Sequence, residues 1–239
     1  MTEAAAEPAV PAAEASDLAG GGPVVWCDFG GVLTSSVAKA FTRVATAAKV
    51  PPVVLYEAVD EVAAGYGLTE LGPLELGLVS ERDWGAQVRA ALAPAWVPEI
   101  DFGRLGEYWY AGHSAEHALL SRLAELPAGG VRLGLLTNGI REWEPHRRAL
   151  LPAAASVFEI MINSCEVGVR KPDAAIYELA ERAFGQPGAD CLLIDDVERN
   201  CAAATRRGWS AIHHVSADLT IARLDAWLAD RLGRSERPE

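Results

Sequence analysis

The sequence predicts an α/β fold: a doubly wound, three-layer parallel sheet with a helical cap inserted near its start. Three observations carry that expectation. Apolar runs end abruptly in polar residues at Val24-Val25-Trp26-Cys27 before Asp28, at Val131-Arg132-Leu133-Gly134-Leu135-Leu136 before Thr137-Asn138-Gly139, and at Cys191-Leu192-Leu193-Ile194 before Asp195-Asp196. Short apolar runs closed by turn signals suit strands that are buried on both faces. Helical patterns separate the later runs, and strands alternating with helices imply a parallel sheet. One long stretch, about 35 to 120, breaks the alternation and reads as mostly helical.

Taken in order, the chain opens with Glu3, Glu7, Glu14 and Asp17 and no basic residue before Gly20-Gly21-Gly22. With few large apolar groups to offset the entropy of ordering, residues 1–22 are expected to be a disordered tail. They lack the basic start and continuous apolar segment of a secretory signal, so the expected address is cytoplasmic. The first strand then runs into Gly30-Gly31. Pro51-Pro52, Gly72-Pro73 and Pro94 punctuate the helical stretch 35–120, which is the expected cap. The core comprises 23–34 and 121–239. Within it, Phe158 to Ile162 and Ser210 to His213 are further strand candidates. Asp173 to Phe184, Val197 to Arg207 closed by Gly208, and Leu219 to Leu232 read as helices.

Ligands of open parallel sheets sit beyond the carboxyl ends of the strands. Asp28, Thr137, Asn138, Asp195 and Asp196 would therefore converge from distant parts of the chain. Composition narrows the ligand class. A formal charge of −12 over 239 residues argues against nucleic acid and anionic membranes, both of which reward clustered Lys and Arg. No apolar run approaches the roughly 20 residues of a membrane-spanning helix. Cys27, Cys165, Cys191 and Cys201 form no Cys-x-x-Cys pair, so they read as buried thiols and not as a zinc knuckle or disulfide framework.

Four motifs carry a closer resemblance. They are Asp28-Phe29-Gly30-Gly31-Val32-Leu33-Thr34, Leu135-Leu136-Thr137-Asn138-Gly139, Arg170-Lys171-Pro172-Asp173, and Leu193-Ile194-Asp195-Asp196-Val197-Glu198-Arg199-Asn200. In this order and strand context the chain resembles the haloacid dehalogenase (HAD) superfamily, in its phosphatase-like branch with a helical cap, from Val24 to about His214. The resemblance implies a HAD-like Rossmannoid core and a magnesium-dependent phosphatase for a small phosphorylated metabolite, acting as a monomer or homodimer. It implies Asp28 as the nucleophile that forms an aspartyl-phosphate. Mg2+ would be held by Asp28, the Gly30 carbonyl and Asp196, with Asp195 as a direct or water-mediated partner. Thr137, Asn138 and Gly139 would bind the phosphate, and Lys171 would sit between it and Asp28. These are the parts phosphoryl transfer needs: a placed nucleophile, and positive charge or donors on the phosphoryl oxygens.

The sequence departs from the family pattern at Gly30, where most of its phosphatases carry a second Asp that protonates the leaving oxygen. Dehalogenase members also lack that Asp, but they displace halide from carbon without magnesium, which leaves Asp195-Asp196 little purpose. The alternatives are a catalytically weak module that binds magnesium and phosphate, and a haloacid dehalogenase-type carbon-halogen hydrolase. One motif competes: His113-Ser114-Ala115-Glu116-His117 matches a His-x-x-Glu-His zinc pattern, against the plainer expectation of an exposed helix joining cap to core. Trp84, Trp96, Trp109, Tyr108 and Tyr110 fall in the cap, where packing is their expected use.

Overall fold

The computed structural model describes residues 22–151 and 154–235. The tail expected over 1–22 lies, apart from Gly22, outside the described residues. Strands β1 (Val24–Cys27), β2 (Arg132–Thr137), β3 (Ile160–Asn163), β4 (Cys191–Asp195) and β5 (Ser210–His213) form one sheet in the order β3-β2-β1-β4-β5. Every pairing is parallel, so the chain starts in the middle and winds outward both ways. Cys27 lies opposite Leu135 on one side and Ile194 on the other, which sets Asp28 level with the ends of β2 and β4.

Side-chain alternation divides the apolar strand residues between two layers. Val25, Cys27, Leu133, Leu135, Leu192 and Ile194 pack with Leu119, Leu120 and Leu123 of α6 (His117–Glu125) and with Leu224 and Leu228 of α12 (Ala217–Ser235). Val24, Trp26, Leu136 and Leu193 face the other way, onto α10 (Ala174–Phe184) and α11 (Glu198–Arg206). Gly134 would weaken β2 by propensity alone, but a Cβ there would fall 2.3 Å from the Trp26 ring. The indole takes the space, and the glycine is a packing requirement.

Between β1 and β2 the chain builds α1 (Val37–Ala48), α2 (Pro52–Ala64), α3 (Gly72–Glu75), α4 (Glu81–Leu92) and α5 (Leu105–Tyr110). Their buried residues, among them Val44, Leu55, Trp84, Val88 and Trp109, form a separate apolar cluster that takes in Ile140 and Trp143 from beyond β2. The chain leaves and returns through a narrow neck: Ser35 N–H donates to Ser114 O at 3.2 Å, and Glu116 N–H to Leu33 O at 2.8 Å. Leu119 and Leu120, just before the cap boundary expected at 120, pack with the sheet. The zinc pattern is not carried on a helix: Ala115 sits in an isolated bridge with Thr34, and α6 begins only at His117. The remaining helices are α7 (Glu144–Leu150), α8 (Ala154–Val157) and α9 (Ser164–Val167).

Candidate active site

Asp28 follows β1 directly, and its backbone N–H donates to Ile194 O at 2.9 Å, continuing the pairing with β4. Its Oδ1 accepts from Phe29 N–H at 2.7 Å. The loop then turns at Gly31, whose φ of +80° favours glycine and where a Cβ would meet Asp196 Oδ2 at 2.0 Å. Only a bare Cα lets this loop lie against that carboxylate. Gly30 differs, because its φ lies outside the left-handed region and the nearest atom to an added Cβ is Val37 Cγ2 at 3.8 Å.

Lys171 has a fully buried side chain at the centre of the site. Its Nζ donates to Leu136 O at 2.6 Å and to Asp195 Oδ2 at 2.6 Å, and sits 3.1 Å from Asp28 Oδ1. Two hydrogen bonds and one close ion pair thus hold the ammonium. Burial opposes the charge, but Asp195 and Asp28 outweigh it and hold the Lys171 pKa above its ordinary value. The Asn138 amide fixes the lysine loop from both sides: its Oδ1 accepts from Lys171 N–H at 2.8 Å and its Nδ2 donates to Lys171 O at 2.9 Å.

The two adjacent acids have different surroundings. Asp195 is fully buried and accepts from Lys171, from Val197 N–H at 2.9 Å and from Asn200 Nδ2 at 3.0 Å, so both its oxygens are occupied. Asp196 has a buried Oδ1 without a hydrogen-bond partner. Burial first, then the charges of Asp28 and Asp195, push the Asp196 pKa up to about 7. Burial likewise raises Asp28, to about 6, against the pull of Lys171. Carboxylate oxygens of Asp28, Asp195 and Asp196 lie within 4.8 Å of one another. Three carboxylates facing one ammonium leave two negative charges in a largely buried site. An all-oxygen donor set with that deficit fits one hard divalent cation, to which Asp28 and Asp196 could each offer a carboxylate oxygen.

Thr137 ends β2 in a buried position opposite Asn163 of β3. Gly139 has its N–H engaged by Ser164 Oγ at 3.1 Å, and a Cβ on it would fall 2.4 Å from Asn163 Oδ1. Its contribution is close packing, while the donor expected of it is already taken.

A family model for haloacid dehalogenase-like hydrolases matches residues 24–208. The chain belongs to this family. Among curated relatives, this HAD-like hydrolase is 32% identical over 123 residues to a glyceraldehyde 3-phosphate phosphatase of Methanothermobacter thermautotrophicus, covering 47% of this chain and 53% of the relative. It is 36% identical over 75 residues to a phosphoserine phosphatase of Thermus thermophilus, covering 31% of this chain and 29% of that one. The chain thus spans about half the length, or less, of these relatives. Solved structures of similar fold include a HAD family enzyme of Bacteroides thetaiotaomicron as a magnesium complex, at TM-score 0.64 and 19% identity over 81% of this chain and 93% of that one. An L-2-haloacid dehalogenase aligns at TM-score 0.60 and 20% identity over 87% and 98%. At such identities the likeness is one of fold.

In this HAD-like hydrolase, four of the residues expected at the site lie together: Asp28, Lys171, Asp195 and Asp196 are in mutual contact or close approach, and Asn138 grips the lysine loop. Two residues that sequence reasoning passed over also reach it. Ser164 donates to Glu75 O at 2.6 Å while its Oγ accepts from Gly139 N–H. The Glu75 carboxylate lies 2.9 Å from Arg170, the residue before Lys171. No local pattern marks either one.

Proposed function

We propose that this chain is a magnesium-dependent phosphatase that hydrolyses a small phosphomonoester through an aspartyl-phosphate on Asp28, in a cytoplasmic setting. The observation that carries the reading is the charge pattern: a buried lysine shared by Asp28 and Asp195, beside an Asp196 carboxylate with an unpartnered buried oxygen. By the family resemblance, a carbon-halogen hydrolase works without magnesium and would have little purpose for the acidic pair. The phosphatase names of the curated relatives support the same direction.

Asp28, Asp196 and the Gly30 carbonyl would hold the cation, and when bound it would neutralise the repulsion between carboxylate and phosphate. The chain's own residues do the rest. Phe29 N–H and Lys171 fix Asp28 Oδ1, which leaves Oδ2 to attack phosphorus. As the new O–P bond forms, the bond to the leaving oxygen breaks and that oxygen takes the electron pair. Thr137 Oγ1 and Asn138 N–H would donate to the phosphoryl oxygens. Water then attacks phosphorus and the Asp28 O–P bond breaks: the water oxygen and one of its protons leave in inorganic phosphate, the other proton passes through solvent to the leaving oxygen, and Asp28 returns as a carboxylate. Residues 35–120 act as the cap that limits substrate size and excludes bulk water.

The test is turnover of acetyl phosphate and p-nitrophenyl phosphate with magnesium, then with chelator, together with borohydride trapping of the acyl phosphate. Chelator-sensitive turnover with Asp28 reduced to homoserine is expected. Turnover indifferent to chelator, or a trapped label anywhere but Asp28, overturns the reading. Phosphate affinity without turnover would identify a binding module instead.

A further inference from the structure

The inserted segment around α3 touches the core at the loops that carry the chemistry. Glu75 Oε2 lies 2.9 Å from Arg170 Nη2, with the two side chains only 15% and 9% exposed. Arg170 is bonded to Lys171, and its guanidinium crosses α3 at Gly72, where a Cβ would fall 2.4 Å from Nη1. The main chain of the same glutamate makes a second tie: Glu75 O accepts from Ser164 Oγ at 2.6 Å, and that oxygen accepts from Gly139 N–H at 3.1 Å. Burial pushes the Glu75 carboxyl up against the pull of Arg170, and the charges of Asp28 and Lys171 also reach it, more weakly. One insertion residue therefore contacts the neighbour of the lysine and the partner of the Thr137-Asn138-Gly139 loop.

A nearby pair serves as contrast. Glu70 reaches Arg199 at 2.5 Å, but these side chains are 35% and 50% exposed, a setting in which ion pairs contribute little. Buried pairs are weak sources of net stability, yet losing one partner leaves an uncompensated charge. Stability alone gives a poor account of an arginine and a glutamate enclosed beside the site.

We propose that Glu75 is a positioning residue: through Arg170 and Ser164 it holds Lys171 and the Gly139 loop in the geometry that phosphoryl transfer requires. The inference rests on the phosphatase reading for its kinetic consequence, but not for its structural one. Seating of α3 on the core and alignment of Lys171 become a single equilibrium.

The experiment compares Glu75→Gln, Glu75→Asp, Gly72→Ala and Glu70→Gln with wild type. Hydrogen exchange of the segments containing 137–140 and 168–173 reads loop order, magnesium titration reads the cation site, and steady-state kinetics read turnover. Leu55→Ala, in the separate cluster of the insertion, supplies a destabilised control. Glu75→Gln is expected to speed exchange in both segments and to lower kcat by about 10- to 100-fold, the scale of an ångström-level misplacement. KM and magnesium affinity should stay within about twofold, Glu75→Asp should recover part of the loss, and Glu70→Gln should shift kcat by less than about twofold. Should Glu75→Gln fail to fold, Gly72→Ala displaces the guanidinium with both charges kept and is held to the same outcome. Wild-type exchange and kcat in Glu75→Gln overturn the proposal, as does a loss no greater than that of Leu55→Ala at matched melting temperature. If the wild-type protein turns over no phosphate ester, the phosphatase reading fails by itself, and exchange in the two segments still decides the role of Glu75.

Discussion

Gly30→Asp is the substitution whose outcome the structure constrains most tightly. A Cβ at this position meets only Val37 Cγ2, at 3.8 Å, an ordinary van der Waals distance, and the backbone there does not require glycine. The variant is therefore expected to fold, with a small gain from reduced unfolded-state entropy of up to about 1 kcal/mol. The new carboxyl would join Asp28, Asp195 and Asp196, and their charges favour its protonated form, the form a general acid needs. General acid catalysis contributes roughly 10²- to 10⁴-fold, equivalent to about 2.7 to 5.4 kcal/mol of barrier. The gain should fall on substrates whose leaving oxygen needs a proton. Simple alkyl phosphates should speed up by that factor, while acyl phosphates and p-nitrophenyl phosphate should barely change. The assay is kcat/KM against leaving-group pKa for both proteins: a steep dependence in wild type and a shallower one in the variant. A flat dependence in wild type would show that an acid already serves the leaving oxygen. An unchanged slope in a folded variant would show that position 30 cannot reach it.

Three further outcomes follow from the same geometry. Asp28→Asn keeps the shape of the side chain but removes the nucleophile, so turnover should fall by at least about 10³-fold in a protein that still folds, and wild-type turnover would reject the covalent route. Asp196→Asn should weaken magnesium binding with little effect on melting, whereas Asp195→Asn should cost roughly 3 to 5 kcal/mol of stability by leaving buried Lys171 short of a counter-charge; equal effects of the two on metal titration and calorimetry would sink that division. Asp28 and Asp196 have folded-state pKa values raised to about 6 and about 7 from 3.8. The metal-free folded state binds the extra protons, so their contribution to stability is full below about pH 4 and is lost as pH rises through 6 to 7. Magnesium competes with those protons, and its shift of the melting temperature should be larger at about pH 8 than at about pH 5.5. A shift that shrinks with rising pH would contradict the assignment of these two carboxylates to the cation.

The parts of this protein that were legible in its sequence share one property: strand and chemistry adjoin along the chain. Val24–Cys27 and Ser210–His213 read correctly as strands because their apolar residues stop at a polar turn. Asp28, Asp195 and Asp196 could be placed at a common edge because each lies at or just beyond the end of such a strand. β3 was less legible. The apolar run suggests 158–162, but the strand is Ile160–Asn163: Phe158 is drawn into the sheet's apolar cluster, and Glu159 pairs with Arg132. The distinct surroundings of Asp195 and Asp196 depend on Lys171, Val197 and Asn200, and no spacing rule says which acid they saturate. Least legible was Glu75, because Ser164 lies 89 positions away and one more acid in an acidic chain carries no signal.

Charge accounting links these features. The site holds three carboxylates against Lys171, and Glu75 adds a fourth acid within electrostatic reach, which carries a charge when ionised although burial pushes it up to about 7. Arg170 answers that fourth charge, which leaves the deficit at two, the charge of one magnesium ion. An Asp at position 30 would have to be protonated to keep this balance, and its environment would make it so. Gly30 therefore does not alter the electrostatics that hold a cation and a phosphate. What it removes is a proton source for the leaving oxygen, and this separates binding from leaving-group chemistry in a way that the substrate series can measure.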